Sequence, residues 1–321
     1  MKHILVSMLI FCVALTISCE KKKKEASQVS QSKVNVVATI FPLYDFARAT
    51  AKEHANIAML ILPGASIHAF EPSPADIKNI QNADMFLYIG GENDAWVERI
   101  LSTLDTSKMK IVRLFDYIKL YEEEEIDHDN DQDNNQKEKG EIKIEYDEHI
   151  WTSPKNAALM LEAIAKALCE IDSSNCENYG KNSESYTSQI AELSSELSQI
   201  ANSAKRKKIV VADRFPFLYL TKEYGLDYVA AFPGCSDQAD ASAATIAFLI
   251  RTMKKDKIPY VYHVELSNKN TAKTVAEQTG SKMLLLHSYH NVSKQDFESG
   301  ATYLDLFKQN VENLKIGLSE E

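Results

Sequence analysis

The stretch Val34-Asn35-Val36-Val37-Ala38-Thr39-Ile40-Phe41-Pro42 decides the fold, because part of it returns later in the chain. Val36-Val37-Ala38-x-x-Phe41-Pro42 reappears 174 residues on as Val210-Val211-Ala212-x-x-Phe215-Pro216. Pro63-Gly64-Ala65-Ser66 likewise reappears 170 residues on as Pro233-Gly234-Cys235-Ser236. Order and spacing both hold, which points to two related units. Val34 to Phe41 reads as a β-strand ended by Pro42, and Leu43 to Lys52 as a helix. Ala55 to Leu62 reads as a second strand stopping at Pro63-Gly64, Pro74 to Gln81 as a helix, and Asp84 to Ile89 as an apolar strand ending at Gly90-Gly91. Strands alternating with helices argue for a parallel sheet with helical crossovers. In the second half, Tyr260 to Glu265 and Met283 to Leu286 are the later strands.

Between the units, Tyr179, Tyr186, Ile190, Leu193, Leu197 and Ile200 recur at helical spacing. They predict one amphipathic helix over 175–203, about 40 Å long at 1.5 Å per residue. A single unrepeated helix between two units reads as a rigid spine rather than a coiled coil. The expected fold is α/β, with two related lobes, each a mostly parallel sheet with flanking helices, joined by one long rigid backbone helix. The expected divisions are 34–174, 175–204 and 205–321.

With 321 residues, 45% hydrophobic and 26% charged, the chain has globular composition and length for two cores. Its net charge of -10 disfavours nucleic-acid binding, which needs clustered Lys and Arg. The charge is localised. Residues 121–148 hold 13 acidic and 3 basic side chains, and the rest of the chain has 33 of each sign. Such a run is expected to be a solvated loop or a weak, oxygen-rich gatherer of divalent cations. Its one histidine, His128, does not make it a strong zinc trap.

Met1-Lys2-His3 followed by the apolar run Ile4 to Ile17 describes a secretory signal, too short to span a bilayer comfortably. The signal is expected over 1–18. Leu15-Thr16-Ile17-Ser18-Cys19 is similar to the end of a bacterial lipoprotein signal, with Cys19 as the lipidated residue; ordinary secretion is the alternative. Residues 19–33 read as a flexible tether in which Lys21 to Lys24 either lean on anionic lipid or serve solubility. The mature chain is expected outside the cytoplasm, lipid-anchored to the bacterial membrane and monomeric. Outside the cytoplasm Cys169 and Cys176 are candidates for a disulfide, with two free thiols as the alternative. Cys235 is then unpaired. Trp96 and Trp151 read as packing residues.

Histidine placement carries the chemistry. His68 follows the Pro63-Gly64 turn, His149 follows the acidic run, and His287 follows the strand Met283 to Leu286. Ligands collect at the carboxyl ends of strands in parallel sheets. Several imidazoles there suit zinc better than calcium or magnesium.

Pro63-Gly64-Ala65-Ser66-Ile67-His68-Ala69-Phe70-Glu71-Pro72-Ser73-Pro74-Ala75-Asp76-Ile77 resembles the first ligand motif of the zinc/manganese solute-binding proteins of ABC importers, the ZnuA/TroA-like group. Asp147-Glu148-His149-Ile150-Trp151-Thr152-Ser153-Pro154 resembles the second, and Tyr303-Leu304 with Asn310-Val311-Glu312-Asn313-Leu314 the C-terminal helix. The resemblance covers about residues 34–319. It implies metal held between two lobes, with His68 and His149 as ligands, and delivery of the ion to a membrane permease with its cytoplasmic ATPase. It also implies a third ligand opening the second lobe, where this sequence has Arg214, a residue that stays protonated and cannot ligate. The fourth position matches His287, with His290 as a second candidate. The expected ligands are therefore His68, His149, His287 and His290, with Asp213 and Glu265 in reserve, or Glu265 paired with Arg214. Zn²⁺ is expected, with Mn²⁺ the alternative. Local movement of the His149 loop, not hinge closure, is expected to gate the site.

No GxSxG, HExxH or phosphate loop occurs, so no enzyme is expected. Two rivals remain: a zinc-dependent hydrolase using Glu265 or Asp213 as base, and a surface adhesin.

Overall fold

The structure, a computed structural model, describes residues 33–65, 70–124, 145–234 and 240–319. Cys19, His68, His128 and Cys235 lie outside the described residues, as do the signal, nearly all of the tether and residues 125–144 of the acidic run.

The first lobe contains β1 (Val34–Ala38), α1 (Phe41–Ala51), β2 (Ala55–Met59), α2 (Pro74–Gln81), β3 (Met85–Tyr88), α3 (Ala95–Leu101), β4 (Lys110–Arg113) and α4 (Pro154–Ile171). After the connecting helix α5 (Cys176–Ser203) come β5 (Lys208–Phe215), α6 (Leu218–Tyr224), β6 (Asp227–Pro233), α7 (Ala243–Asp256) and β7 (Tyr260–His263). The second lobe then continues with α8 (Asn270–Thr279), β8 (Lys282–Leu285), α9 (Lys294–Glu298) and α10 (Tyr303–Ser319). The sheets run β2-β1-β3-β4 and β6-β5-β7-β8, the same order in each lobe, and every pairing is parallel. The internal repeat is therefore a structural repeat.

Both faces of each sheet are covered. Val36 and Ala38 of β1, Met85 and Leu87 of β3, and Ile209 and Val211 of β5 all enter one core shared by the lobes. The residues between them point the other way: Val37, Phe86 and Tyr88 into an outer cluster of the first lobe, Val210, Ala212 and Val261 into one of the second. This is the period-two alternation of a strand with both sides buried. The predicted spine residues Tyr179, Tyr186, Ile190, Leu197 and Ile200 are buried, and α5 packs on α1, α4 and α10. Asp45 of α1 ties these helices together. Its carboxylate accepts from Tyr186 Oη on α5 and Tyr303 N on α10, and pairs with Arg48. A Cys169–Cys176 disulfide joins the end of α4 to the start of α5.

Element ends differ from expectation in one instructive place. Pro42 does not end the first strand; it sits in the first turn of α1, where a residue without an N–H fits. The strand already stops at Ala38. β2 stops at Met59, although Leu60 N and Ile61 N still donate to Ala38 O and Thr39 O at 2.9 and 3.0 Å. Because all strands are parallel, Glu265 after β7 and the His287–His290 turn after β8 leave from carboxyl ends, and His149 arrives on the segment between β4 and α4.

Candidate metal centre

His149 is fixed from three sides. Its backbone N–H donates to Asp147 Oδ1 at 2.8 Å, and its carbonyl accepts from Thr152 N and Oγ1 at 3.1 and 2.8 Å. Its ring Nδ1 lies 3.2 Å from the same Asp147 oxygen. A carboxylate at Nδ1 keeps the hydrogen there and leaves Nε2 as the lone-pair nitrogen, the arrangement used by metal-bound histidines. The ring is 1% exposed and reaches the second lobe. A Cβ on Gly234, just after β6, would stand 3.0 Å from His149 Cε1 and 3.0 Å from Phe215 O, so a side chain there would crowd the ring. Burial opposes the charged form of His149, but the Asp147 carboxylate, with Glu148 and Glu123, outweighs it and raises the pKa above the usual imidazole value.

His290 faces this ring. The two imidazoles are 5.4 Å apart between centroids and nearly perpendicular, at 88°, and Trp151 lies 4.7 Å from His290. Trp151 is thus more than packing: its Nε1 also donates to Ser288 O at 2.7 Å, tying the lobes at the site.

His287 is held by the turn around it. Its Nδ1 accepts the Tyr289 N–H at 2.9 Å and lies 3.6 Å from Glu265 Oε2. The ring stacks on Tyr289. The main chain of His287 is clamped by Asn310, whose Oδ1 accepts His287 N and whose Nδ2 donates to His287 O, both at 2.7 Å. These contacts fix the His287 ring within its own turn. It shapes the turn that presents His290.

His68 lies outside the described residues, but the turn before it is attached to the His290 loop. Gly64 N donates to Val292 O at 2.8 Å, and Asn291 Nδ2 donates to Leu62 O and Ala65 O at 3.0 and 2.9 Å. The reserve carboxylates are both engaged elsewhere. Asp213 accepts from Arg214 N and Val264 N. Glu265 accepts from Ser288 N at 2.7 Å and from Ser288 Oγ, so it does not pair with Arg214. Arg214 follows a register shift in β5 and forms no ion pair with a described residue. Among the described residues, no three His, Cys, Asp or Glu side chains gather as a metal-holding group; His149 and His290 are a facing pair.

Sequence reasoning missed Asp147, Asn310 and the clamp at Glu265. Asp147 stood two residues before His149 in the quoted motif. The other two reach the His287–His290 turn over a separation of 23 residues.

Known proteins share this architecture. The family described as "Zinc-uptake complex component A periplasmic" matches residues 36–317. The chain is 31% identical over 324 residues to the zinc-binding lipoprotein AdcA of Streptococcus pneumoniae TIGR4, covering 100% of this chain and 62% of AdcA. It therefore spans just under two thirds of that relative's length. It is 30% identical over 308 residues to the high-affinity zinc uptake system protein ZnuA of Bacillus subtilis 168, covering 96% of this chain and 95% of that protein. The crystal structure of the Zn(II)-bound ZnuA-like domain of S. pneumoniae AdcA aligns with a TM-score of 0.74 at 30% identity, over 90% of this chain and 100% of that one. The metal-dependent lipoprotein YcdH from B. subtilis aligns with a TM-score of 0.74 at 29% identity, over 89% and 99%. Two parallel-sheet lobes, a long connecting helix and a match running through both lobes make this chain a member of the ZnuA family.

Proposed function

We propose that the chain is an extracytoplasmic solute-binding protein that takes up Zn²⁺ between its lobes and hands it to the permease of an ABC importer. The supporting observation is the facing pair of buried imidazoles, His149 and His290, with Asp147 fixing the His149 tautomer so that Nε2 is the ligating nitrogen. In this reading His149, His290 and His68 bind the ion. His287 positions His290. Nitrogen donors favour zinc over manganese. The names of AdcA and ZnuA, both zinc proteins, support the same cargo. The mature protein is a monomer anchored through lipid on Cys19.

Elemental mass spectrometry on soluble protein starting at Glu20, dialysed against mixed Zn²⁺ and Mn²⁺, tests this. One zinc per wild-type chain is expected, and a His149→Ala/His290→Ala double mutant should lose it. Equal metal in both proteins, or manganese in place of zinc, would refute the reading.

A further inference from the structure

Five non-glycine residues among the described ones have positive φ. Lys52, Lys257 and Lys269 lie at helix ends, the first two at C-terminal ends, where a positive φ is common. Leu266 (φ +58°) and Tyr289 (φ +62°) do not. Both are bulky, and the left-handed region is unfavourable for them. Leu266 directly follows Glu265, and Tyr289 directly follows Ser288. Glu265 and Ser288 are hydrogen-bonded to each other. Residues held in such conformations persist only where their surroundings over-determine them, and they gather at ligand clamps.

The bonds around Ser288 show what is over-determined. β7 and β8 run side by side, and Leu286 N continues their ladder to His263 O at 2.9 Å. Beyond the ladder Glu265 reaches across from the β7 loop and takes both donors of Ser288: the backbone N–H at 2.7 Å and the hydroxyl. The same Ser288 Oγ accepts the backbone N–H of His290 at 3.2 Å. Because the hydroxyl hydrogen goes to Glu265, its lone pairs are turned to His290. A single hydroxyl thus links Glu265 to the main chain of the residue facing His149. Ser288 O is held at the same time by Trp151 of the first lobe.

We propose that Glu265 is a positioning residue for metal capture: through Ser288 it holds the strained turn that aims His290 at His149, and it does not itself touch the ion. The inference rests on the reading of His290 as a ligand. A carboxylate that ligated the ion would need its charge. A clamp needs only a side chain that bonds Ser288, and glutamine can accept the N–H and donate to the hydroxyl.

Zn²⁺ affinity, measured by competition with a chromophoric chelator, separates these roles when combined with the visible spectrum of the Co²⁺ form and the melting temperature of metal-free protein. His290→Ala should lose affinity. Glu265→Ala should lose about 10- to 100-fold, the usual effect of removing a group that orients a ligand, and should alter the Co²⁺ spectrum. Glu265→Gln should recover most of the affinity and the wild-type spectrum. Ser288→Ala should weaken binding less than Glu265→Ala with little change in metal-free melting. Wild-type affinity in Glu265→Ala overturns the inference. So does an equal loss in Glu265→Gln, which would make the carboxylate a ligand. Should Glu265→Ala not fold, wild-type affinity in a folded Ser288→Ala overturns it instead. Wild-type affinity in His290→Ala would remove the reading beneath the inference and is distinguishable from all of these.

Discussion

Asp94 is a carboxylate with almost no water around it. Its Oδ2 accepts from Ile89 N and Gly90 N at 2.9 and 3.0 Å, yet burial, with help from Glu148, pushes its pKa up to about 6. The ionised form is therefore disfavoured in the folded state relative to the unfolded chain, whose pKa is near 3.8. The resulting stability is present in full below about pH 4 and is lost as pH rises through about 6. The shift of roughly two units corresponds to about 3 kcal/mol. Urea unfolding at pH 4.5 and 7.5 should show the wild type losing stability over this interval relative to Asp94→Asn, which keeps an acceptor for the two N–H groups. Parallel pH profiles for the two proteins would show that Asp94 is ionised in both states. At this scale the sequence was a partial guide. His149 was legible because its neighbours form a distinctive run. The orientation of the His287 ring was not, because it depends on which ring nitrogen meets Tyr289 N, a matter of one turn's geometry.

Among the elements, α10 shows how one residue without a side chain sets a packing distance. Gly317 lies against Tyr262 of β7, and a Cβ there would stand 1.8 Å from the Tyr262 hydroxyl oxygen. That hydroxyl donates to Asn313 O on the same helix. Gly317→Ala gains helix propensity but must move a buried ring or the helix, so it should destabilise by about 1–3 kcal/mol. Thermal unfolding of the metal-free protein measures this, and an unchanged or higher melting temperature would refute it. The helix was recognised from its Asn310 to Leu314 segment. Its hold on the His287 turn through Asn310, a residue with no exposed surface, was not visible in that pattern.

Over the molecule as a whole, the two lobes share one continuous core, and polar bonds cross between them near the site. Tyr219 Oη bridges Tyr121 N and Asp147 O at 3.1 and 3.0 Å, Glu124 meets Lys222 and Tyr228, and Glu223 accepts from Ser153 at the start of α4. Hinge closure would break these bonds and open the core. Small-angle scattering should therefore give the same radius of gyration, within about 1 Å, for metal-free and Zn²⁺-loaded protein. A clear compaction on loading would show that the lobes do close.

What the sequence by itself determined was periodic or local: two related α/β lobes from a repeated segment, parallel sheets from alternating strands and helices, and a spine from helical spacing. Local backbone geometry and period-two or period-3.6 burial are written into neighbouring residues, so they survive without knowledge of the rest. The tertiary structure alone decided that Trp151 reaches Ser288, that Glu265 serves that serine rather than Arg214, and that His290 faces His149. These outcomes depend on hydrogen bonds between residues as much as 137 positions apart, which form only once both sheets have packed on their common core.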